Sequence, residues 1–251
     1  MFKNVLVISD NANLCHKFAE VISNKPLQDF NFSFSISPYS NKKDFQTVNN
    51  SEIKLFDLKN SKDVDHIKST YDLVFSIHCK QIFPTDLVRN VKCINIHPGY
   101  NPINRGWYPQ VFSIVHGLPI GATIHEIDEK LDHGAIIARK FVDKNSYDTS
   151  ETLYNKILVA EIELLNEYIE AILNNSYTTF SPENQGNIFL KKDFNALLAL
   201  DLQEQTTVGD FIDKLRALTH GDFDNAYFID PDSGKKVHVG IRLKSEDDEK
   251  S

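Results

Sequence analysis

Cys93-Ile94-Asn95-Ile96-His97-Pro98 is an apolar run that stops abruptly, with an amide and an imidazole two residues apart at its end. Residues two apart in an extended strand point to the same side, so Asn95 and His97 can face one reacting centre. Pro98 favours an extended backbone at His97 and ends the run. We therefore expect a strand whose carboxyl end carries both functional groups.

Other short apolar runs along the chain also predict strands. Helix-length segments separate most of them, and the clearest helix is predicted over Ser150–Leu173, with another over Trp107–Val115. Strands and helices that alternate in this way favour an α/β fold with a Rossmann-like, doubly wound, mostly parallel sheet, whose ligands bind beyond the carboxyl ends of the strands. The other predicted strands are Asn4–Ser9, Asn31–Ser37, Ile53–Phe56, Asp72–Phe75 and Ala122–Ile127.

The character of the chain changes after Tyr177. A polar stretch at 181–187 precedes a helical pattern over Val208–Leu218 and two β-like runs joined by a turn, and the chain ends in charged residues. This order predicts a small unit of a helix and a β-hairpin. We expect two parts, residues 1–180 and residues 181–251.

Composition excludes several classes of function. The chain has 251 residues and a formal net charge of -8, which argues against nucleic acid as the main partner, because phosphate backbones require clustered Lys and Arg. Its three cysteines lack C-x-x-C spacing and its histidines lack the spacing of a zinc site, so no metal is expected. No signal-peptide pattern or membrane-length apolar stretch occurs, which predicts a cytoplasmic protein without a membrane partner.

A later segment is expected to bring a carboxylate close to the end of the apolar run at Cys93–His97. The strand-like Ala122–Ile127 leads into Asp128-Glu129-Lys130-Leu131-Asp132-His133-Gly134. An amide donor, an imidazole and a carboxylate are the groups that acyl transfer to an amine requires. His97 would accept the proton of the amine, and Asn95 would donate to the oxyanion. Asp132, favoured over Asp128 because it precedes the His133-Gly134 turn, would orient and charge the imidazole.

Four sequence blocks carry a family resemblance. They are Asn95-Ile96-His97-Pro98, Arg105-Gly106, Gly121-Ala122-Thr123-Ile124-His125 and Asp132-His133-Gly134-Ala135-Ile136-Ile137. In this order they resemble the N-x-H-P, R-G, G-x-T-x-H and D-x-G-x-I-I pattern of the folate-dependent formyltransferases, over roughly residues 1–175. The resemblance implies N10-formyltetrahydrofolate as co-substrate. It also implies a folate pocket that includes Phe83, Ile127, Asp128 and Lys130.

A narrower resemblance concerns the acceptor. Ser9-Asp10-Asn11-Ala12-Asn13-Leu14 lacks the glycines of relatives that formylate a glycinamide ribotide, and the tail is too short for those that formylate an aminoacylated tRNA. The chain is similar to sugar N-formyltransferases that act on dTDP-linked amino-dideoxy sugars. This implies dTDP-4-amino-4,6-dideoxyglucose as the acceptor, a homodimer formed through the C-terminal region, and a role in O-antigen or other surface-polysaccharide synthesis.

The same resemblance implies a set of acceptor-binding residues. Arg105 would bind the diphosphate and Trp107 would form a wall of the sugar pocket. Four alternatives stay open at this point: a 3-amino instead of a 4-amino acceptor, hydrolysis of the formyl-folate, a sensor without catalysis, and an interaction module built on the C-terminal hairpin. The expected acceptor-binding residues are Ser9, Asp10, Asn11, His78, Lys80, Gln81, Arg105, Trp107 and Tyr108.

Overall fold

The computed structural model of the protein describes residues 1–45 and 52–246. The central part of the fold contains eight strands. In chain order they are β1 (Asn4–Ser9), β2 (Asn31–Ile36), β3 (Lys54–Leu55), β4 (Leu73–Ile77), β5 (Lys92–His97), β6 (Arg105–Gly106), β7 (Gly121–Glu126) and β8 (Ile136–Phe141). Seven of them make one sheet of order β3-β2-β1-β4-β5-β7-β8. The strands from β3 to β5 pair in parallel, whereas β7 and β8 add an antiparallel edge. The predicted mostly parallel sheet is therefore confirmed.

Helices cover both faces of this sheet. They are α1 (Ala12–Ser23), α2 (Ser61–Thr70), α3 (Thr85–Asn90), α4 (Pro109–Val115), α5 (Ser150–Leu173), α6 (Lys191–Leu197) and α7 (Val208–Leu218). The predicted helix over Ser150–Leu173 is confirmed, and Thr149 caps it by accepting a hydrogen bond from the backbone N–H of Thr152. The helix predicted to begin at Trp107 begins at Pro109 instead, because Tyr108 has a left-handed backbone with φ 49°.

Two apolar clusters lie on opposite faces of the sheet. Val5 and Val7 of β1 belong to the larger cluster, and Leu6 and Ile8 belong to the smaller one. This alternation is the period of two that a strand imposes. The larger cluster also contains residues of α1 and α5, and the smaller one contains residues of α2 and α3. The sheet is thus buried on both faces, as a doubly wound fold requires.

The C-terminal part is bound to the rest of the chain by strand pairing and by a buried arginine. β9 (Ile188–Phe189) pairs in parallel with β6. The predicted hairpin is confirmed as β12 (Ala226–Ile229) and β13 (Lys236–Val239), and it follows the short pair β10 (Thr219–His220) and β11 (Phe223–Asp224). Arg216 of α7, only 4% exposed, donates to the carbonyl oxygens of Asn145 and Asp148.

Two further observations complete the fold. Across 1–45 and 52–246, no helix combines the length and the apolar character needed to cross a membrane. The charged end predicted from the sequence lies partly at 247–251, outside the described residues.

The larger cluster should carry much of the stability. Phe75 of β4 is fully buried and packs edge-on against Phe18 at a ring-centroid distance of 5.3 Å. Phe75→Ala should lower the free energy of unfolding by about 3–5 kcal/mol, because it removes a large apolar side chain and leaves a cavity. Urea denaturation measures this loss. Phe141→Ala, at a ring 54% exposed, is the matched control and should cost about 1 kcal/mol or less; equal losses would contradict the assignment of the core.

Candidate active site

β5 delivers Asn95 and His97 to the carboxyl edge of the sheet. β5 pairs with β7 so that Asn95 lies opposite His125 and His97 lies opposite Thr123. The imidazole of His97 is buried, with the residue 4% exposed. Its alternation with Ile94 and Ile96, which pack in the larger cluster, turns both polar side chains toward the other face.

Asp132 connects these two side chains. Asn95 Nδ2 donates to Asp132 Oδ1 at 3.1 Å, and the backbone N–H of Gly106 donates to Oδ2 at 3.0 Å. His97 Nδ1 lies 3.7 Å from the same Oδ2. Asn101 Nδ2 fixes the loop by donating to the backbone oxygen of Asp132 at 3.0 Å. The amide, imidazole and carboxylate predicted from separate segments therefore lie in one cluster.

The charges of this cluster follow from burial and from mutual attraction. Burial alone would raise the pKa of Asp132, but attraction to the rings of His97 and His125 and the hydrogen bond from the N–H of Gly106 hold the pKa well below its usual range. Burial lowers the pKa of His97, and the nearby Asp132 carboxylate only partly opposes this effect. Near neutral pH the cluster thus holds a charged carboxylate beside a neutral imidazole that can accept a proton.

His125 is a member of the cluster that the sequence reasoning did not assign a role. Its Nδ1 lies 2.7 Å from the carbonyl oxygen of Glu126, so this nitrogen carries the proton and donates. Its Nε2 therefore accepts the second N–H of Asn95, at 3.3 Å. The sequence did contain a signal for His125, because this residue follows Thr123 by two positions on a predicted strand, and the two side chains therefore share one face. His125 keeps the Asn95 amide in one orientation.

The outer edge of His97 is bounded by Gly99. A Cβ on Gly99 would overlap with the Nε2 and Cδ2 atoms of the imidazole. Among the described residues, His97 Nε2 is buried without a hydrogen-bond partner. A buried ring nitrogen without a partner is costly unless a ligand supplies one. Asp132 thus faces Nδ1 of His97, and Nε2 is the ring nitrogen without a partner in the described part of the protein, beside which Gly99 leaves space by having no Cβ.

The loops around the cluster are conformationally strained. Four residues other than glycine adopt left-handed backbones there: His78 (φ 52°), Asn104 (φ 59°), Tyr108 (φ 49°) and Asp132 (φ 45°). Such residues cost of order 1–3 kcal/mol each and concentrate at functional sites, where the surrounding structure enforces them. The strain supports the assignment of this edge as the site.

Asp10 organises the loops beside the cluster. Its carboxylate accepts hydrogen bonds from the backbone N–H of Ser37 at 3.1 Å, from the hydroxyls of Ser37 and Ser40 at 2.7 Å, and from the backbone N–H of Lys80 at 2.7 Å. These donors follow β2 and β4, so one side chain holds three strand ends together. Because its oxygens are occupied by the protein, a contact between Asp10 and a ligand stays a prediction.

Several other predicted acceptor-binding residues have protein partners as well. Ser9 is fully buried and bonds the backbone of Asn11. Gln81 accepts from the N–H of Leu58 and donates to the oxygen of Phe56. These contacts give Ser9 and Gln81 a role in the scaffold, and their contact with a ligand stays a prediction.

The remaining predicted residues at the ends of β1 and β4 differ in exposure. Asn11 caps α1 through its Oδ1 and donates from Nδ2 to Tyr154 Oη at 3.3 Å. Both ring nitrogens of His78 have protein partners, Glu161 and Tyr154. Lys80 is exposed, and of this group it is the most accessible to a ligand.

Arg105 lines a pocket together with Asp132. Arg105 is 9% exposed, its Nε has no hydrogen-bond partner among the described residues, and it borders a pocket with Asp132 and Gly134. Trp107 is 39% exposed, and Tyr108 packs on Phe194 of α6 at a centroid distance of 4.4 Å. The segment 181–185 supplies four residues to the same pocket, Ser181, Pro182, Asn184 and Gln185.

Two of the predicted folate residues lie close together. Phe83 is buried in the smaller apolar cluster, and Ile127 packs against that cluster. Asp128 accepts hydrogen bonds from the backbone N–H of Lys130 and from His133 Nδ1, the latter at 2.6 Å, while Lys130 is exposed. Ile127 and the polar turn therefore follow the end of β7 directly, beside the apolar cluster that contains Phe83.

The charge of Asp132 should control the titration of His97. Asp132→Asn should lower the pKa of His97 further, because the attraction that favours the imidazolium is removed while burial remains. An NMR pH titration of the His97 ring protons measures this shift. Asp128→Asn, in the same loop but paired with His133, is the matched control. A pKa of His97 that stays unchanged or rises in Asp132→Asn would contradict the electrostatic role of Asp132.

Comparison with known proteins gives one consistent result. A family model described as "Formyl transferase" matches residues 2–169, and one described as "N-formyltransferase dimerization C-terminal domain" matches residues 193–245. The dTDP-4-amino-4,6-dideoxyglucose formyltransferase of Mycobacterium tuberculosis (strain ATCC 25618 / H37Rv) is 52% identical over 183 residues, which are 73% of this chain and 78% of that protein.

Solved structures agree with this result. A 4-N formyltransferase from Francisella tularensis superposes with a TM-score of 0.91 at 43% identity, over 97% of this chain and 98% of the other. A sugar 3N-formyl transferase solved in the presence of dTDP and 5-N-formyl-THF superposes with a TM-score of 0.68 at 22% identity, over 86% and 79% of the two chains. The second likeness shows the common fold alone.

Proposed function

The chain belongs to the formyl transferase family, and we propose that it transfers a formyl group from N10-formyltetrahydrofolate to the amino group of dTDP-4-amino-4,6-dideoxyglucose. The observation that carries this proposal is the cluster in which Asp132 bonds the Asn95 amide and faces the His97 imidazole. The C4 position rests on the 4-amino-sugar enzyme and the 4-N formyltransferase, which resemble this chain over most of their lengths.

His97 acts as the base in this proposal. As the amine nitrogen bonds to the formyl carbon, His97 accepts the amine proton, and it returns that proton to N10 of the folate when the bond between the formyl carbon and N10 breaks. Its buried imidazole has a lowered pKa, so it is neutral and ready to accept at neutral pH. General-base catalysis of this kind contributes about 10²- to 10⁴-fold in rate.

Asn95 stabilises the oxyanion in this proposal. One of its N–H groups is committed to Asp132 at 3.1 Å, while the other makes a longer bond to His125 at 3.3 Å. The formyl oxygen would replace His125 as the acceptor of this second N–H. The first bond keeps the amide in place, so little reorganisation is needed as negative charge develops.

Asp132 stabilises the imidazolium that forms on His97. Its carboxylate stays charged, because the surrounding donors hold its pKa well below the usual range. A fixed negative charge 3.7 Å from His97 Nδ1 favours the protonated ring during transfer and sets its orientation. Asp132 therefore matters for both proton steps.

Ligand contacts follow from accessibility and charge. We propose Arg105 for the diphosphate and Lys80, Trp107 and Tyr108 for the acceptor, because Arg105 has a donor without a partner and Lys80 and Trp107 are exposed. For the folate we propose the apolar surface of Phe83 and Ile127 together with the turn that contains Asp128 and Lys130. Asn11 donates to Tyr154 Oη, and its contact with the acceptor stays a prediction.

The organisation of the chain is part of the same proposal. Residues 1–180 would form the catalytic part, and residues 181–251, of which 247–251 are not described, would form a C-terminal part that joins two copies into a homodimer. The match to a C-terminal dimerization model supports this assignment. The cytoplasmic location and the role in surface-polysaccharide synthesis stay predictions.

A panel assay tests the activity and the position of the amine together. The protein is incubated with N10-formyltetrahydrofolate and either dTDP-4-amino-4,6-dideoxyglucose or its 3-amino isomer, and the products are read by mass. We expect one added formyl group on the 4-amino sugar and little on its isomer. His97→Asn should lower turnover by about 10²-fold or more, whereas His16→Asn, at an exposed ring, should not.

Three results would count against the proposal. Formylation of the 3-amino sugar alone would overturn the C4 assignment. Folate release at equal rates with and without an acceptor would point to hydrolysis. Wild-type turnover in His97→Asn would remove the base from the mechanism.

A further inference from the structure

A second polar chain lies beside His97 and has no role in the mechanism above. Glu161 of α5 is fully buried, and its two carboxylate oxygens lie 2.9 and 3.0 Å from His78 Nε2. His78 Nδ1 lies 3.0 Å from the phenol oxygen of Tyr154. Asn11 Nδ2 lies 3.3 Å from the same oxygen. A carboxylate, an imidazole and a hydroxyl in this order are the components of a proton relay.

The directions of these hydrogen bonds follow from the two ends of the chain. The Oδ1 of Asn11 accepts the helix-capping bond of Leu14, so its Nδ2 faces Tyr154 and donates to the phenol oxygen. At the other end the Glu161 carboxylate accepts from His78 Nε2. The phenol O–H of Tyr154 then donates to His78 Nδ1. One lone pair of the phenol oxygen has no donor among the described residues.

The relay lies next to the proposed base. Ile77, the last residue of β4, pairs with Ile96 of β5, so His78 directly follows β4 at the level where β5 reaches His97. The two imidazoles are close enough to interact electrostatically. Tyr154, on the first turns of α5, reaches the same carboxyl edge, where its bond to Asn11 ties it to the end of β1. An acceptor bound for attack beside His97 would thus be close to the relay.

The proton balance of formyl transfer requires a second acceptor. Amines near electron-withdrawing groups titrate at about 7.7–8.0, so an amino sugar is largely an ammonium ion at or below neutral pH. An ammonium nitrogen has no lone pair and must lose one proton before it attacks. His97 handles a different proton, the one that passes from the attacking nitrogen to N10. The reaction of an ammonium acceptor therefore releases one proton that His97 does not account for.

We propose that Tyr154 is a further catalytic residue, which deprotonates the ammonium form of the acceptor through His78, with Glu161 as the positioning residue. This inference rests on the proposed function. The N–H bond of the ammonium breaks and its electron pair stays on nitrogen, while the proton bonds to the phenol oxygen. The original phenol proton moves to His78 Nδ1, and the imidazolium that forms is neutralised by the Glu161 carboxylate, so the pair gains one proton and loses its net negative charge.

The environment of the relay suits this transfer. Burial raises the pKa of Glu161, although His78 opposes the effect, so the pair binds an extra proton more readily than an exposed carboxylate would. The side chain of His78 is 13% exposed and that of Glu161 is 1% exposed, so the proton leaves to solvent from His78. Burial also raises the pKa of Tyr154 to about 12, which keeps the phenol neutral before and after the transfer.

Other titratable groups face the relay from neighbouring elements. His220 of β10 packs edge-on against the Tyr154 ring at 5.6 Å, and its pKa is lowered by burial, so it adds no positive charge at neutral pH. His97 of β5 interacts electrostatically with His78. Asp10, at the end of β1, is occupied by its own hydrogen bonds, among them the N–H of Lys80. Glu161 is thus the negative charge in direct contact with His78.

The test is the pH dependence of kcat/KM for Tyr154→Phe with N10-formyltetrahydrofolate and the 4-amino sugar. Phenylalanine keeps the ring but removes the proton-transferring oxygen, so the variant can use only the free-base fraction of the acceptor. We expect its rate relative to wild type to fall about 10- to 100-fold at pH 6.5 and to recover to within about 3-fold at pH 9, where the amine is already neutral. Tyr168→Phe, near the C-terminal end of α5, is the matched control, and its kcat/KM should equal that of the wild type at every pH.

Two measurements test the proposed function and the relay separately. Wild-type turnover on the 4-amino sugar tests the proposed function, and the ratio of Tyr154→Phe to wild type tests the relay. A ratio that is constant from pH 6.5 to 9, or close to one throughout, would overturn the relay, since a merely structural or binding role does not depend on the charge of the acceptor. Glu161→Gln, of the same shape but unable to hold the proton, should repeat the pH-dependent loss; a pH-independent loss would again count against the proposal.

Discussion

The buried carboxylate of Asp132 is the interaction on which the site depends. It receives the amide of Asn95 and the backbone N–H of Gly106, and it faces His97 Nδ1. Asn95 and His97 belong to β5 and Gly106 belongs to β6, whereas Asp132 itself lies in the turn between β7 and β8. Burying a charge without partners would cost several kcal/mol, so the segments must converge for the carboxylate to remain ionised. Charge and geometry are therefore set by the same contacts.

Acidic side chains also hold together the rest of the carboxyl edge of the sheet. Asp10 gathers the ends of β1, β2 and β4, and Glu161 reaches from α5 to His78. The donors to Asp10 follow β2 and β4, and the donor to Glu161, His78, follows β4. A parallel sheet brings these strand ends together, and the acidic side chains fix the loops that follow them.

Much of this architecture could be predicted from the sequence. Buried strands such as Asn4–Ser9 are apolar runs, and the two-residue spacing of Asn95 and His97 on an apolar run is enough to indicate a shared face. β8 was missed because only its first half is buried, so its hydrophobic pattern stops at Ala138. The start of α4 was placed two residues early, because nothing local reveals the left-handed backbone of Tyr108.

The site was predictable where its parts are close in sequence and not where they are distant. The contact between Asn95 and Asp132 spans 37 residues and depends on how β7 and β8 turn. The local sequence pattern indicated Asp132 through its position in a loop. It could not reveal that Gln81 and Asp10 form hydrogen bonds with other parts of the protein. Glu161 gave a signal that was not used: it continues the buried spacing of Leu153 and Ile157, where a carboxylate needs a partner.

The central claim is that Asn95 and His97 work as one unit through Asp132. A double-mutant cycle in kcat/KM between Asn95→Ala and Asp132→Ala, which removes the accepting oxygen, tests it most directly. Because each change disrupts the same hydrogen bond, we expect the double variant to be little slower than the slower single variant. Losses that multiply, so that the double variant shows the product of the two single effects, would mean that the two residues act independently and would contradict this account.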